Sequence, residues 1–155
     1  MIEQQIARLS RGVADFESAI LALGQAAFLE KMIGRWTPRD IVAHLIGWNA
    51  YVIDGSRQLQ RGELPFYDVD PGENYEKVNA ILVRQNASRD RSELLEALHT
   101  SARDLAQFLR SLDTDTWGRD FGVRHGEEVV TIRGTVDELI ADYDHHREQL
   151  ETSGI

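Results

Sequence analysis

The chain has 155 residues, with 17 Lys and Arg residues against 26 Asp and Glu residues, and it contains no cysteine. This length suits one domain over residues 1–155, and the hydrophobic (42%) and charged (28%) fractions are those of a globular protein. The net charge of −9 argues against a nucleic-acid partner, because binding to phosphates needs clustered Lys and Arg. The absence of cysteine excludes disulfides, thiolate zinc sites and a cysteine nucleophile.

No stretch of the sequence predicts a transmembrane helix or a secretion signal. The longest uncharged stretches cover residues 18–29 and 41–53, and both are shorter than the roughly 20 apolar residues that a spanning helix needs. The N-terminus places acidic and basic residues among its apolar positions, so it lacks the apolar region of a signal peptide. We therefore expect a cytoplasmic protein with no membrane partner.

Apolar residues at three- and four-residue spacing predict two long helices in the first part of the chain. The first covers residues 2–23 and ends at Gly24. The second runs from about residue 38 to residue 61. Thr37 is a good N-cap for it, a proline follows at the first helical position, and Asp40 places a carboxylate in the first turn.

Residues 62–73 form the clearest linker, since they contain two glycines and two prolines. Twelve extended residues reach up to about 40 Å, so this crossover need not join antiparallel neighbours. Helical periodicity resumes at Tyr75 and ends near Asn86. It returns in a longer segment that reaches residue 112, for which Asp90 or Ser92 can act as the N-cap.

The stretch from residue 113 to residue 134 is the least helical. Within it, residues 123–130 fit either a hairpin with Gly126 in the turn or a surface loop. The last helix is predicted from Thr135, with Glu138 completing a capping box, to about residue 151. The fold class is therefore all-α. We expect a four-helix bundle with a long crossover between the second and third helices and a loop or small hairpin before the last.

Three residues at the edges of apolar helix faces could form a metal site. Asp142 and His146 share a flank of the last helix because they are four residues apart. His44 has a similar position on the second helix, and such positions can converge between the helices of a bundle. Two imidazoles and one carboxylate would leave open positions on Zn, Ni, Fe(II) or Mn. The alternative interpretation is a surface contact between Asp142 and His146, with His44 an ordinary residue at the core boundary.

Aromatic residues beside these three are candidates for the walls of a pocket. Trp48, Tyr51 and Tyr143 would line it, and Gln149 follows on the same flank as the metal candidates. Trp36 is expected to anchor a connection between helices. The other histidines are expected at the surface: His99, His125 and His145. Motifs for nucleotide binding, zinc proteases and serine hydrolases are absent from the sequence.

Two stretches carry a resemblance to the DinB/YfiT-like superfamily. Residues 36–48, WTPRDIVAHLIGW, resemble its second helix, and residues 137–150, DELIADYDHHREQL, resemble its last. This resemblance implies a four-helix bundle in which one histidine of the second helix and a His-x-x-x-His pair of the last bind a divalent metal. His44 and His146 match the first and third of those ligands. Asp142 stands where the commonest pattern has histidine.

The same resemblance implies a chemistry. Some members, the mycothiol-dependent isomerases among them, have a carboxylate at the position of Asp142, and an oxygen ligand favours harder metals. The superfamily includes transferases and isomerases that use low-molecular-weight thiols such as bacillithiol and mycothiol. It therefore implies a metal-dependent enzyme for a small-molecule substrate, in which the metal holds the cofactor thiol as a thiolate. That thiol must come from a small molecule, since the chain has no cysteine.

Two other interpretations stay open. Residues 40–48 and the acidic linker also resemble the colibactin self-protection type of bundle, which implies protection against a reactive metabolite without a metal triad. Asp142 or His146 could then activate water in an aromatic pocket. The third interpretation is a non-catalytic helical module without a pocket. Ile46 and Ile53, which we expect to be exposed, could support a homodimer in that case.

Overall fold

The computed structural model describes residues 1–69 and 74–152, which fold into a helical bundle. The described residues contain seven α-helices: α1 (Ile2–Leu21), α2 (Gln25–Glu30), α3 (Pro38–Gln60), α4 (Asn74–Gln85), α5 (Arg91–Arg110), α6 (Thr114–Gly118) and α7 (Ile132–Thr152). The four long ones, α1, α3, α5 and α7, make the bundle. Helices α5 and α7 each pack against both α1 and α3. The predicted all-α bundle is confirmed.

The core lies between the four long helices, where their apolar faces meet. Phe16, Leu45, Leu98 and Val136, one from each long helix, are fully buried. Burying a side chain of this kind stabilises the fold by about 1.5–3 kcal/mol. The residues that form the predicted amphipathic stripes are thus the residues that fill the core.

Capping boxes fix where two of the helices begin. Thr37 Oγ1 accepts a hydrogen bond from the Asp40 backbone N–H at 3.2 Å, and Asp40 Oδ2 accepts one from the Thr37 N–H at 3.1 Å. At the start of α5, Asp90 Oδ1 accepts from the Glu93 N–H at 2.8 Å. Of the two predicted candidates, Asp90 and Ser92, Asp90 is therefore the N-cap of α5. Each box satisfies backbone donors that the first turn of a helix leaves free.

The last helix begins at Ile132, one turn earlier than predicted, so the capping box assigned to Thr135 is wrong. Thr131 Oγ1 accepts a hydrogen bond from the Gly134 backbone N–H at 2.9 Å. The Thr135 hydroxyl lies inside the helix and donates to the Thr131 carbonyl at 2.9 Å. Ile132 is fully buried. The apolar stripe therefore extends one turn before Thr135, and the helix begins early enough to bury its first member, Ile132.

The connections hold more structure than the sequence pattern indicated. Residues 123–130 form the hairpin rather than the loop: β1 (Arg124–His125) pairs antiparallel with β2 (Glu128–Val129). Gly126 in its turn has φ +64°, a conformation that favours glycine. The short helix α2 lies between the first two predicted helices, and α6 lies in the stretch predicted to be the least helical. Six and five residues are too few to show a helical period.

The crossover begins with residues 62–69, which contain a single 3-10 turn at Phe66–Asp68. The rest of the predicted linker, residues 70–73, and the C-terminal tail, residues 153–155, lie outside the described residues. Beyond the crossover, α4 packs on the outside of α3. The third helix is therefore broken, as predicted, into α4 and α5.

Two glycines of α3 let neighbouring segments lie directly against its backbone. A Cβ atom on Gly47 would lie 2.2 Å from Leu82 Cδ2 of α4, and one on Gly55 would lie 2.5 Å from the Tyr67 hydroxyl oxygen of the crossover. Real Cβ contacts are longer than this, so only glycine permits either approach. Helix α4 and the crossover are thereby held against the stretch of α3 that carries His44 and Trp48.

Two predictions concern the outside of the bundle. Ile46 and Ile53 are half-buried and pack against the core. The expectation that these two side chains are exposed was wrong, and the homodimer stays a prediction. None of the helices in the described part of the chain combines the length and the apolar character that crossing a bilayer requires.

Candidate metal centre

His44, Asp142 and His146 converge where α3 and α7 face each other. His44 Nε2 lies 2.8 Å from Asp142 Oδ2, and His146 Nε2 lies 3.3 Å from Asp142 Oδ1. One donor atom from each residue lies within 4.8 Å of the other two. Both histidines are buried, and Asp142 is half-buried. Within residues 1–69 and 74–152, no other group of three acidic or histidine side chains is this compact.

Each histidine turns its second ring nitrogen toward a side-chain amide. Asn79 Oδ1 lies 2.9 Å from His44 Nδ1, and Gln149 Oε1 lies 2.8 Å from His146 Nδ1. A ring that donates its Nδ1–H to an amide oxygen keeps its lone pair on Nε2, the atom that faces Asp142. Metal-ligating histidines have this arrangement, in which an outer hydrogen bond fixes the ring and its tautomer.

The electrostatics of the three residues favour a bound cation. Burial raises the pKa of Asp142, but hydrogen bonds from His146 and His44, donated by Nε2–H when each ring carries both protons, outweigh burial and hold that pKa well below its usual range. Burial lowers the pKa of His146, and the hydrogen bond to Asp142 more than offsets this, so the pKa of His146 is raised. Two imidazole nitrogens and a charged carboxylate form a donor set that suits Zn, Ni, Fe(II) or Mn. The residues therefore fit a divalent metal.

Trp36 covers the two histidine rings, a position that the sequence did not indicate. Its ring centroid lies 4.9 Å from that of His44 and 6.2 Å from that of His146. Trp36 is half-buried and directly precedes Thr37, so the capping box that starts α3 also fixes its backbone. The sequence predicts Trp36 only as the anchor of a connection between helices. Its place eight residues before His44 gave no helical signal, because the two residues lie in different elements.

A cavity of about 520 Å³ opens beside His44 and Asp142. This volume falls within the roughly 300–1,000 Å³ of small-molecule sites. The interpretation as a module without a pocket predicted no such cavity. Its apolar wall comes from α3, the crossover, the hairpin and α7: Trp48, Val52, Tyr67, Val129, Val130 and Leu139.

The predicted pocket residues occupy three different layers. Trp48 lines the cavity, and Tyr51 lies behind it with ring centroids 5.9 Å apart. Tyr143 is fully buried in the core, and Gln149 contacts His146 instead of the cavity. Tyr51, Tyr143 and Gln149 are thus absent from the lining formed by the described residues. Tyr143 differs because the residue after Asp142 on a helix points about 100° further round, here toward the bundle axis.

Carboxylates dominate the charge of the cavity. Burial raises the pKa of Glu138, Asp68 and Glu128 raise it further by repulsion, and His125 lowers it in part. His125 Nδ1 lies 4.0 Å from Asp68 Oδ1. Among the described lining residues there is no Lys or Arg. A cavity of this charge favours a neutral or cationic ligand over an anion.

Two histidines expected at the surface also reach this cavity. His125 is carried over it by the hairpin, and His145 lines it from α7 while remaining exposed. His99 lies elsewhere, exposed on α5 and paired with Glu17 of α1. The sequence could not separate His125 from His99, since the hairpin that folds His125 inward was only one of two interpretations.

Comparison with known proteins supplies the family. The model of the DinB superfamily matches residues 8–150. The chain belongs to the DinB superfamily. The family predicted from residues 36–48 and 137–150 is thereby confirmed. No curated protein matches this DinB superfamily chain significantly.

Several solved structures share the fold of this DinB superfamily chain. The colibactin self-resistance protein ClbS has a TM-score of 0.75 and 14% identity, with 97% of this chain and 93% of ClbS covered. The protein DfsB, a sibling lethal factor precursor, has a TM-score of 0.78 and 13% identity, with 97% and 92% covered. An uncharacterised protein from Clostridium difficile 630 has a TM-score of 0.78 and 12% identity, with 97% and 93% covered. Identities this low show likeness of fold.

The comparison overturns one expectation. The solved structure of ClbS is a complex with dsDNA, so excluding a nucleic-acid partner on net charge was wrong for this branch of the fold. The charge of −9 is a sum over the whole chain. It does not show how the 17 Lys and Arg residues are distributed over the surface, which is what contact with phosphates depends on.

Proposed function

We propose that this DinB superfamily member is a divalent-metal-dependent enzyme that acts on a small molecule in the cavity. One observation carries the proposal: His44, Asp142 and His146 bring three donor atoms within 4.8 Å of one another. Two of these residues also line a cavity of about 520 Å³. Three protein donors beside a cavity are typical of a catalytic metal site, because a structural site uses all its positions for protein ligands.

The residues have separate roles in this proposal. His44 and His146 hold the metal through Nε2, and Asp142 holds it through its carboxylate. When bound, a divalent ion supplies a positive centre that keeps a low-molecular-weight thiol deprotonated near neutral pH. The reaction class is thiol transfer or isomerisation with such a thiol. Trp48 and Tyr67 provide an aromatic wall for the apolar part of the substrate.

The charge of the cavity narrows the substrate class. Besides the proposed metal ligand Asp142, the cavity is lined by three carboxylate residues: Asp68, Glu128 and Glu138. The described lining contains no Lys or Arg. An anionic substrate would meet like charges at short range, which is costly in a partly enclosed site. We therefore propose a neutral or cationic small molecule and a thiol that carries no negative group besides the thiolate that the metal would bind.

Metal analysis tests the proposal. Untagged protein is compared by inductively coupled plasma mass spectrometry with the double variant His44→Ala/His146→Ala and with His145→Ala. His145 is the matched control, because it is the neighbouring histidine of α7 and lies outside the group of three. We expect near-stoichiometric metal in the wild type and in His145→Ala, and none in the double variant. A wild type that stays metal-free after incubation with Zn, Ni and Mn salts would exclude the metalloenzyme.

The second candidate is a metal-independent protein that hydrolyses or sequesters a reactive metabolite. The likeness of fold to the colibactin self-resistance protein ClbS favours it. In this case the Asp142–His146 pair would activate water beside the aromatic wall. Metal-stripped protein would then consume an electrophilic probe as fast as untreated protein, and Asp142→Asn would abolish that activity. Under the metalloenzyme proposal, stripping the metal abolishes the reaction.

The dsDNA in the ClbS structure makes nucleic acid a partner to test for this chain. Fluorescence anisotropy with a short labelled duplex, at low and at physiological salt, measures it directly. Contacts to phosphates lose affinity steeply as salt rises. An affinity that survives at physiological salt would place DNA beside the small molecule as a partner. No binding even at low salt would leave the small molecule as the candidate.

A further inference from the structure

We propose that Asn79 of α4 is a positioning residue that holds the His44 ring with its proton on Nδ1. The lone pair of His44 is then fixed on Nε2, toward the metal position. This inference rests on the proposed metal centre and extends it, because it makes α4 part of a site otherwise built from α3 and α7. Two hydrogen bonds that meet at the Asn79 side-chain oxygen support it.

Trp48 settles which atom of the Asn79 amide faces the ring. Its indole Nε1 lies 2.8 Å from Asn79 Oδ1. An indole nitrogen can only donate, so the atom opposite it must be the acceptor of the amide, the oxygen. Trp48 therefore fixes the orientation of the Asn79 side chain, which the shape of an amide alone would leave open.

The orientation of Asn79 in turn settles the tautomer of His44. The same Oδ1 lies 2.9 Å from His44 Nδ1. A carbonyl oxygen has two lone pairs and can accept from both Trp48 and His44, but it cannot donate. Nδ1 must therefore carry the proton. In the neutral ring the lone pair then lies on Nε2, which faces Asp142 Oδ2 at 2.8 Å.

In the neutral ring this tautomer is unfavourable by itself, and either of two changes relieves it: a second proton on Nε2, which lets the ring donate to both oxygens, or a metal ion bound by Nε2 and Asp142. A lone pair and a carboxylate oxygen at 2.8 Å repel each other, whereas a ring with its proton on Nε2 would donate to Asp142 without any cation. By holding the proton on the far side of the ring, Asn79 gives up that direct hydrogen bond. The arrangement prepares His44 as a metal ligand before the metal arrives.

The packing of α4 explains how Asn79 reaches His44. Leu82 lies three residues after Asn79 and therefore on the same face of α4. Leu82 packs against Gly47, where the absence of a side chain lets the two helices touch. Gly47 lies between His44 and Trp48 on α3, so the contact that joins the helices also brings Asn79 to both partners.

Zinc affinity tests the role of Asn79. Asn79→Leu removes the acceptor while keeping a similar volume, and Asn79→Asp keeps an oxygen that can accept from both donors. Lys77→Ala on the exposed side of α4 is the folding control. By competition with a chromophoric chelator, we expect Asn79→Leu to weaken Zn binding about 10- to 100-fold. Asn79→Asp and Lys77→Ala should stay near wild type.

Nitrogen-15 NMR of the metal-free protein tests the tautomer itself, at an alkaline pH where the ring is neutral. We expect the His44 proton on Nδ1 in the wild type and in Asn79→Asp, and on Nε2 in Asn79→Leu. A folded Asn79→Leu variant that keeps both the Zn affinity and the wild-type tautomer would overturn the inference. If the wild type binds no metal, the proposed function fails, while the tautomer measurement still decides the role of Asn79.

Discussion

Gly47 of α3 lies so close to Leu82 of α4 that a Cβ atom on it would come within 2.2 Å of Leu82 Cδ2. A side chain can replace the hydrogen there only if the Leu82 side chain changes its conformation or one helix moves. The contact matters for the candidate site because Asn79 lies one turn before Leu82 and meets His44 and Trp48 through the same packing. The spacing of two helices thus determines a hydrogen bond at the candidate metal centre.

Gly47→Ala should therefore damage stability and the metal site together. Forcing an extra methyl group into a packed contact costs about 1–3 kcal/mol, against a gain of up to about 1 kcal/mol from the better helix propensity of alanine. We expect a lower urea midpoint and a weaker Zn affinity. Gly118→Ala is the control, since a Cβ atom there would meet nothing within 4 Å. Equal results for the two variants would show that α4 adjusts freely.

The variant Tyr143→Phe tests whether Tyr143 stabilises the core of the bundle or contributes to the binding pocket. The Tyr143 hydroxyl donates to Asn49 Oδ1 at 2.8 Å inside the bundle, and removing it leaves a buried acceptor without that bond. The expected loss is about 1–3 kcal/mol in the free energy of unfolding. Because Tyr143 does not line the cavity, binding of metal and thiol should not change. An unchanged stability with impaired ligand binding would support the pocket role predicted from the sequence.

The predictable part of this structure consists of features written in local sequence. The capping box of Thr37 and Asp40, and the pairing of Asp142 with His146 at four-residue spacing, depend on neighbours within one turn. His44 could be added because an edge position on an amphipathic helix of a bundle faces another helix. These rules were enough for the long helices and for the three metal candidates.

The rest depends on contacts between elements that are far apart in sequence. Asn79 reaches His44 only because Gly47 admits α4, and no local pattern announces such an approach. His125 reaches the cavity only because the hairpin folds over it. By local sequence Thr135 is the better cap, since Glu138 follows it three residues later, yet the helix begins one turn earlier, where Ile132 is buried. Tertiary packing makes each of these choices.

Glu138 should make the protein pH-sensitive independently of any metal. Its raised pKa means that the folded protein disfavours the charged carboxylate. The resulting destabilisation is absent below the usual pKa of a glutamate, about 4.3, and it develops as the pH rises through the raised value. Glu138→Gln should therefore increase the melting temperature at pH 7, and the gain should vanish toward pH 4. Glu148→Gln, at an exposed position of the same helix, is the control.

A wild-type-like melting temperature for Glu138→Gln at pH 7 would mean that the repulsion from Asp68 and Glu128 is relieved in solution. An increase in melting temperature of equal size at pH 7 and at pH 4 would instead mean that the glutamine side chain packs better than the glutamate, independently of charge. In either case the charge of the cavity would have to be reassessed, because the raised pKa of Glu138 is the evidence that the carboxylates of the cavity repel one another.

The same carboxylates should make the affinity for a thiol depend on the charge of the thiol. Protein loaded with Co(II) is titrated with cysteamine, mercaptoethanol and mercaptopropionate, which carry a positive, neutral and negative group, and binding is followed by the thiolate-to-cobalt absorption band. An interaction of about 1.4 kcal/mol with the carboxylates corresponds to about tenfold in affinity. We expect cysteamine to bind about tenfold more tightly than mercaptopropionate, with mercaptoethanol between them.

The double variant Glu128→Gln/Glu138→Gln should reduce the difference in affinity between cysteamine and mercaptopropionate, since it removes two of the charges without changing the three metal candidates. Equal affinities in the wild type would mean that the ligand does not face these carboxylates. The absence of a thiolate band with every thiol would refute the thiol chemistry and leave metal binding to be judged on its own measurement.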